Sequence, residues 1–189
     1  MMKRWILMAG TVLATAGLVC AQWMLRGSAL PHRDVDFVPT PPEVVDKMLE
    51  LAQITKVDLV YDLGCGDGRI VVAAAKKFGC RAVGVDIDPM RVKEARALVE
   101  KNEVGDLVRI EQADIFSVDL GDADVVALFL LPNLNRKLIP QLEKMKPGSR
   151  IVSHCWPMPG IKARTVATVM TSEPREREIF FWTTPLEAE

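Results

Sequence analysis

Leu59-Val60-Tyr61-Asp62-Leu63-Gly64-Cys65-Gly66-Asp67-Gly68-Arg69 reads as a strand that runs into a glycine turn and then into a helix. Its first half is a short apolar run rich in β formers, and the residues that follow, Ile70 to Phe78, are compatible with a helix. Glycines at 64, 66 and 68 allow positive φ and carry no side chain that would keep a ligand off the backbone. The helix start adds N–H groups with no partner inside the helix. Such a turn is built to take a ligand.

The spacing narrows the ligand. A dinucleotide fingerprint reads G-x-G-x-x-G and aims amides at a pyrophosphate, and a phosphate loop needs Gly-Lys followed by Ser or Thr. This turn reads G-x-G-x-G, has no such lysine, and is preceded by Asp62. A carboxylate repels phosphate and suits a cation with an ammonium group. The D-x-G-x-G-x-G pattern resembles motif I of the class I S-adenosylmethionine-dependent methyltransferases. That resemblance implies a Rossmann-like α/β fold: a mostly parallel seven-stranded sheet with a terminal antiparallel pair, here preceded by an N-terminal hydrophobic helix. It also implies that Asp62, Gly64, Cys65 and Gly66 hold the amino-acid end of S-adenosyl-L-methionine.

Two further acids follow in order. Asp86 ends the apolar run Arg81 to Val85, about 20 positions after the turn, where an acidic residue accepts hydrogen bonds from two ribose hydroxyls. Ile87, next to it, joins the expected cofactor contacts. Asp88 with Pro89 behind it reads instead as a helix N-cap. Leu107 to Glu111 reads as a third strand. The family resemblance implies that Asp114 after it accepts from the adenine amino group, with Ile115 and Phe116 against the ring. Upstream, Thr40-Pro41-Pro42-Glu43 fits a capping box before an apolar stripe at Val44, Val45, Met48, Leu49 and Ala52. Capping alone accounts for these residues. Comparable T-P segments in several methyltransferase families fold over the cofactor, which places Thr40 among the cofactor residues as well.

The acceptor side begins with Asp124 to Leu130, apolar on both faces and therefore a central buried strand. It ends in Leu131-Pro132-Asn133, expected to face the substrate. Adenine and glutamine amide methyltransferases carry (Asp/Asn)-Pro-Pro-(Tyr/Phe/Trp) here, and its lack argues against those acceptors. Asn133 is left as a helix N-cap or a weak substrate contact. Pro140 is expected to kink the helical stripe Leu134, Leu138, Leu142, Met145, or to start a second piece. His154 follows the fifth strand, Arg150 to Ser153. With an ordinary pKa of about 6.5 it is the one candidate catalytic residue, a proton acceptor facing the substrate; a hydrogen-bonded structural histidine is the competing role. Thr165 to Thr171 and Glu176 to Thr184 read as an antiparallel pair, with the usual preceding helix short or absent.

A chain of 189 residues with 49% hydrophobic content supports one domain with a real core. A net charge of −1, with no basic tail, does not favour nucleic acid. Cysteines 20, 65, 80 and 155 form no C-x-x-C pair and there are two histidines, so no metal site is expected. Residues 1–25 read as a transmembrane anchor or a signal segment: after Lys3 and Arg4, residues 5–25 are uncharged and reach about the 30 Å of a bilayer core. Residues 26–36 read as a linker and 37–189 as the methyltransferase domain. The location expected from this is a membrane anchor with the domain facing the cytosol, where the cofactor is made.

The combination of Val38-Pro39-Thr40-Pro41, Asp62 to Val71 and Ala73-Ala74 is similar to the group that includes the ATP synthase c-subunit lysine methyltransferases and their bacterial relatives. The resemblance implies in-line methyl transfer without a covalent enzyme intermediate. The acceptor it implies is a protein lysine, on a membrane-associated protein. A lipid or small-molecule acceptor, or a cofactor-binding module without catalysis, stays open. A nicotinamide-dependent oxidoreductase shares the fold but not the glycine spacing.

Overall fold

The structure, a computed structural model, describes residues 37–189. The expected anchor or signal segment and the linker fall outside the described residues. The chain order is α1 (Pro42–Leu51), β1 (Leu59–Leu63), α2 (Arg69–Phe78), β2 (Arg81–Asp86), α3 (Pro89–Lys101), β3 (Val108–Gln112), a 3-10 turn (Ile115–Ser117), β4 (Val125–Leu128), α4 (Pro132–Leu142), β5 (Arg150–His154), β6 (Thr165–Met170) and β7 (Glu176–Thr183). The seven strands form one sheet in the order β3-β2-β1-β4-β5-β7-β6. Neighbours from β3 to β5 are parallel, and β7 lies antiparallel between β5 and β6. This is the mixed seven-stranded sheet expected from the sequence, and no helix separates β5 from β6.

Alternation along the strands sends side chains to two cores. Val60, Ala82, Val152 and Ile179 face α1, α2 and α3, which bring Val44, Met48, Val71, Ala75, Val92 and Ala95. On the other face Leu63, Val126, Ile151 and Trp182 pack with Leu134, Leu138 and Leu142 of α4. The order in which strands are laid across the sheet reverses between the parallel neighbours β1 and β4, and in open α/β sheets the crevice outside the strand ends at such a point is where ligands bind.

Three local expectations are corrected. The capping box does not form: Pro41 is the N-cap of α1 with no side-chain bond, and Glu43 Oε1 accepts instead from the Ser172 N–H at 3.1 Å. Asn133 is not an N-cap, because α4 begins at Pro132 and Leu131 takes that place. Pro140 does not start a second piece: it lies within α4, and the helix runs on to Leu142.

The membrane-anchored location is also corrected. Among the described residues no helix is long and apolar enough to cross a membrane. The longest, α3, has 13 residues, and at about 1.5 Å each it falls well short of a bilayer core. The expectation rested on residues 5–25 alone, so the location, its cytosolic orientation and the membrane as a partner are withdrawn.

Candidate functional site

The glycine turn joins β1 to α2 and is anchored on β2, where the N–H groups of Gly64 and Cys65 both donate to the Val85 carbonyl, at 2.8 and 2.9 Å. Gly84 of β2 makes room for it: a Cβ there would lie 2.9 Å from Cys65 Sγ and 2.9 Å from Ile110 Cδ1. Cys65 is buried, and burial with the neighbouring Asp62 and Asp86 pushes its thiol up. It fills space under the turn as an unreactive thiol. The three cysteines among the described residues are free, and no group of acids, cysteines and histidines suited to a metal is present among them.

Asp62, Asp86 and Asp114 end up at one edge of the sheet, because β1, β2 and β3 are parallel neighbours. Asp62 is buried and its Oδ2 has no hydrogen-bond partner. Burial, then the charges of Asp86 and Asp67, push its pKa up to about 8. Asp86 holds the turn: Oδ2 accepts from the Gly66 N–H at 2.9 Å and Oδ1 from the Asp88 N–H at 2.9 Å. An ionised carboxylate has about four acceptor positions, so capacity remains at each oxygen. Ile87 follows, half-buried, and Asp88 caps α3 through the Met90 N–H at 2.8 Å. Asp114 is exposed and caps the 3-10 turn through the Phe116 N–H at 3.0 Å. Ile115 and Phe116 are half-buried in that turn, with Lys137 Nζ 4.3 Å from the centre of the Phe116 ring.

The segment before α1 lies on the glycine turn. A Cβ added to Gly66 (φ +54) would come within 2.2 Å of the Phe37 ring, and the Arg91 guanidinium sits 4.5 Å from that ring's centre. Arg69, the first residue of α2, grips Asp67 with a 2.6 Å ion pair and donates to the Thr40 carbonyl at 2.9 Å. Thr40 Oγ1 lies 3.4 Å from His154 Nδ1.

His154 is 1% exposed and packs on Phe129, ring centres 4.0 Å apart. Its Nε2 is buried without a partner. Burial, and secondarily the positive Arg177, lower its pKa to about 4, so the ring is neutral at neutral pH. Leu131 is 41% exposed at the start of α4, with Pro132 half-buried and Asn133 exposed beside it. The buried asparagine is Asn135, which the sequence did not single out. Its Nδ2 donates to the Trp156 and Pro157 carbonyls, each at 3.2 Å, which clamps α4 to the loop after β5, while its Oδ1 is buried without a partner. Arg69, Asn135 and Arg177 all went unread; of these only Arg69 carried a signal, its place at the end of the glycine motif.

Residues 62–165 match the family model for the ANTKMT methyltransferase domain. The chain belongs to this family. It is an enzyme, a methyltransferase that uses S-adenosyl-L-methionine. A protein-lysine N-methyltransferase of Saccharolobus islandicus (strain REY15A) is 49% identical over 144 residues, 75% of this chain and 88% of that protein. An ATP synthase c-subunit lysine N-methyltransferase of Rattus norvegicus is 32% identical over 140 residues, 71% of this chain and 60% of that protein. The crystal structure of an RNA methyltransferase from Salinibacter ruber in complex with S-adenosyl-L-homocysteine is 44% identical, with a TM-score of 0.74, and covers 80% of this chain and 97% of that one. The residues of this ANTKMT domain fit the cofactor on two independent observations: an orphaned carboxylate oxygen under the turn, lacking the donor that an ammonium supplies, and a turn whose backbone is bare.

Proposed function

We propose that this ANTKMT-domain enzyme transfers a methyl group to the side-chain amine of a lysine in a protein. The observation that carries the reading is the buried Nε2 of His154, a ring nitrogen without a partner at the end of β5, which accepts in the tautomer whose Nδ1–H faces Thr40 Oγ1. It is supported by the names of the relatives from Saccharolobus islandicus and Rattus norvegicus. A lysine amine supplies the missing N–H, whereas an RNA acceptor brings phosphates to a chain of net charge −1.

When bound, S-adenosyl-L-methionine supplies an electrophilic methyl on a sulfonium. In this reading Asp62 takes the ammonium of the cofactor's amino-acid end, beside the backbone of Gly64, Cys65 and Gly66. Asp86 accepts from the ribose hydroxyls with Ile87 alongside, and Asp114 accepts from the adenine amino group, flanked by Ile115 and Phe116. Thr40 holds the covering segment in place. Leu131, Pro132 and Asn133 line the acceptor side.

The rest of the work is alignment and desolvation. A lysine ammonium has a pKa of about 10.4 in water, and handing its proton to an imidazole held at about 4 is strongly uphill. His154 therefore acts by accepting a hydrogen bond that orients the amine lone pair. The proton is lost to solvent, aided by a site that disfavours the charged amine.

The test is to incubate the protein with methyl-labelled S-adenosyl-L-methionine and, separately, protein and RNA extracts, then to hydrolyse the products. Label in methylated lysine is the expected result. Label confined to RNA, or to lipid or small metabolites, would end the lysine reading.

A further inference from the structure

Arg177 sits on β7 just past the end of β5, where the Cys155 N–H donates to the Glu178 carbonyl at 2.8 Å. Ile179 pairs with His154 across the two strands, and the period of two puts Arg177 on the same face as both. That face is the one α1 covers. The side chain is half-buried, and its Nε is buried without a hydrogen-bond partner. Among the described residues it makes no ion pair. The acids next to it in the strand do not neutralise it, because Glu176 and Glu178 alternate to the opposite face. A guanidinium of this kind beside the acceptor side of a transferase is a fork of donors awaiting an anion.

We propose that Arg177 is a specificity residue that binds the carboxylate of an acidic side chain next to the acceptor lysine. The inference rests on the lysine reading and sharpens it. A single carboxylate suits the place better than a polyanion, because Glu176 and Glu178, exposed on either side of Arg177 along the same strand, add two negative charges that a phosphate chain would meet. The rim agrees with a peptide: Trp156 and Leu131 are 39% and 41% exposed, apolar area that a backbone segment with one charged side chain can cover.

The experiment compares lysine peptides that differ only in carrying Glu, Gln or Arg at each position flanking the lysine, using wild type, Arg177→Gln and Arg177→Glu. Wild type is expected to favour one Glu-flanked series by about tenfold in kcat/KM, mostly through KM, the size of one charge-assisted hydrogen bond. Arg177→Gln should bring that ratio close to one, and Arg177→Glu should shift the preference to the Arg-flanked series. Calorimetry with S-adenosyl-L-methionine on each variant reports whether the cofactor half still folds, and equal affinities are expected. Wild type that methylates all three series equally overturns this proposal and leaves the lysine reading standing, as does a preference that survives in Arg177→Gln. Transfer to an RNA oligonucleotide and to no lysine peptide overturns both.

Discussion

Thr40 Oγ1 and His154 Nδ1 face each other at 3.4 Å, and through this contact the segment lying on the glycine turn is fastened to the end of β5. The carbonyl of the same threonine takes the Arg69 guanidinium that grips Asp67 in the turn. One residue thus joins the side of the crevice proposed to hold the cofactor to the side where the acceptor is proposed to enter.

Replacing Thr40 with alanine leaves a buried imidazole nitrogen without a partner while keeping the backbone contact to Arg69. The long distance puts the cost at the low end for such a group, about 1 kcal/mol, or a drop in Tm of about 2–4 °C. Methyl transfer should fall more than stability does, because His154 loses the contact that fixes its ring. Thermal unfolding and initial rates on the same preparation check this; a variant as stable and as fast as wild type would mean the contact is idle.

Asp62 makes a prediction of sign. Its pKa is about 8 in the folded protein and about 3.9 in an unfolded chain, so the folded state binds the extra proton. Its contribution to stability is fully present below about pH 4 and is lost as pH rises through about 8. Asp62→Asn removes the titration, and without cofactor the variant should be more stable than wild type at pH 8, by at least about 1 kcal/mol. Its affinity for S-adenosyl-L-methionine should nonetheless fall about tenfold or more, since the ammonium loses its carboxylate. In wild type, binding near neutral pH should release a proton, seen as a dependence of the calorimetric heat on buffer. Unchanged affinity in the variant would remove Asp62 from the cofactor's amino-acid end.

The parts of this site that could be read from the chain are those set by local pattern and chain order. Asp62, Asp86 and Asp114 lie at or just past the carboxyl ends of three successive strands, and a parallel sheet with β1 beside β2 and β2 beside β3 must bring such ends to one edge. Thr40 was misread as a cap because the T-x-x-E pattern is local, whereas its partner, His154, lies 114 positions away. Asn135 and Arg177 escaped for a related reason. Nothing in Leu134-Asn135-Arg136 says that the asparagine faces the loop after β5, and an arginine in Glu-Arg-Glu looks paired until the strand's alternation separates it from both neighbours. The membrane expectation came from composition in residues 5–25, and among the described residues no helix carries it.

Gly66 and Phe37 should be coupled. Gly66→Ala forces a side chain onto a backbone at φ +54 and into the Phe37 ring. The backbone strain alone costs about 1 kcal/mol, and the clash adds to it unless the ring moves. Phe37→Ala in the same chain should recover the clash and not the strain, giving an interaction energy of about 1 kcal/mol in a double-mutant cycle on stability. Strict additivity would show that the segment bearing Phe37 does not rest on the turn in solution.

His154 gives the opposite slope to Asp62 over part of the same range. Its pKa is about 4 folded and about 6.5 unfolded, so the unfolded chain binds the proton first. The stability from keeping it neutral is present above about pH 6.5 and is lost as pH falls towards about 4. Between those values Asp62 and His154 offset each other in wild type, and a flat profile there hides both. His154→Gln should expose the difference: relative to wild type, its stability should improve steadily as pH drops from about 6.5 to about 4. The rate of methyl transfer completes the argument. With the imidazole already neutral, the wild-type rate should rise with pH as the acceptor amine loses its proton and show no inflection near pH 6.5. An inflection there that disappears in His154→Gln would mean that the imidazole titrates during turnover and takes the proton itself.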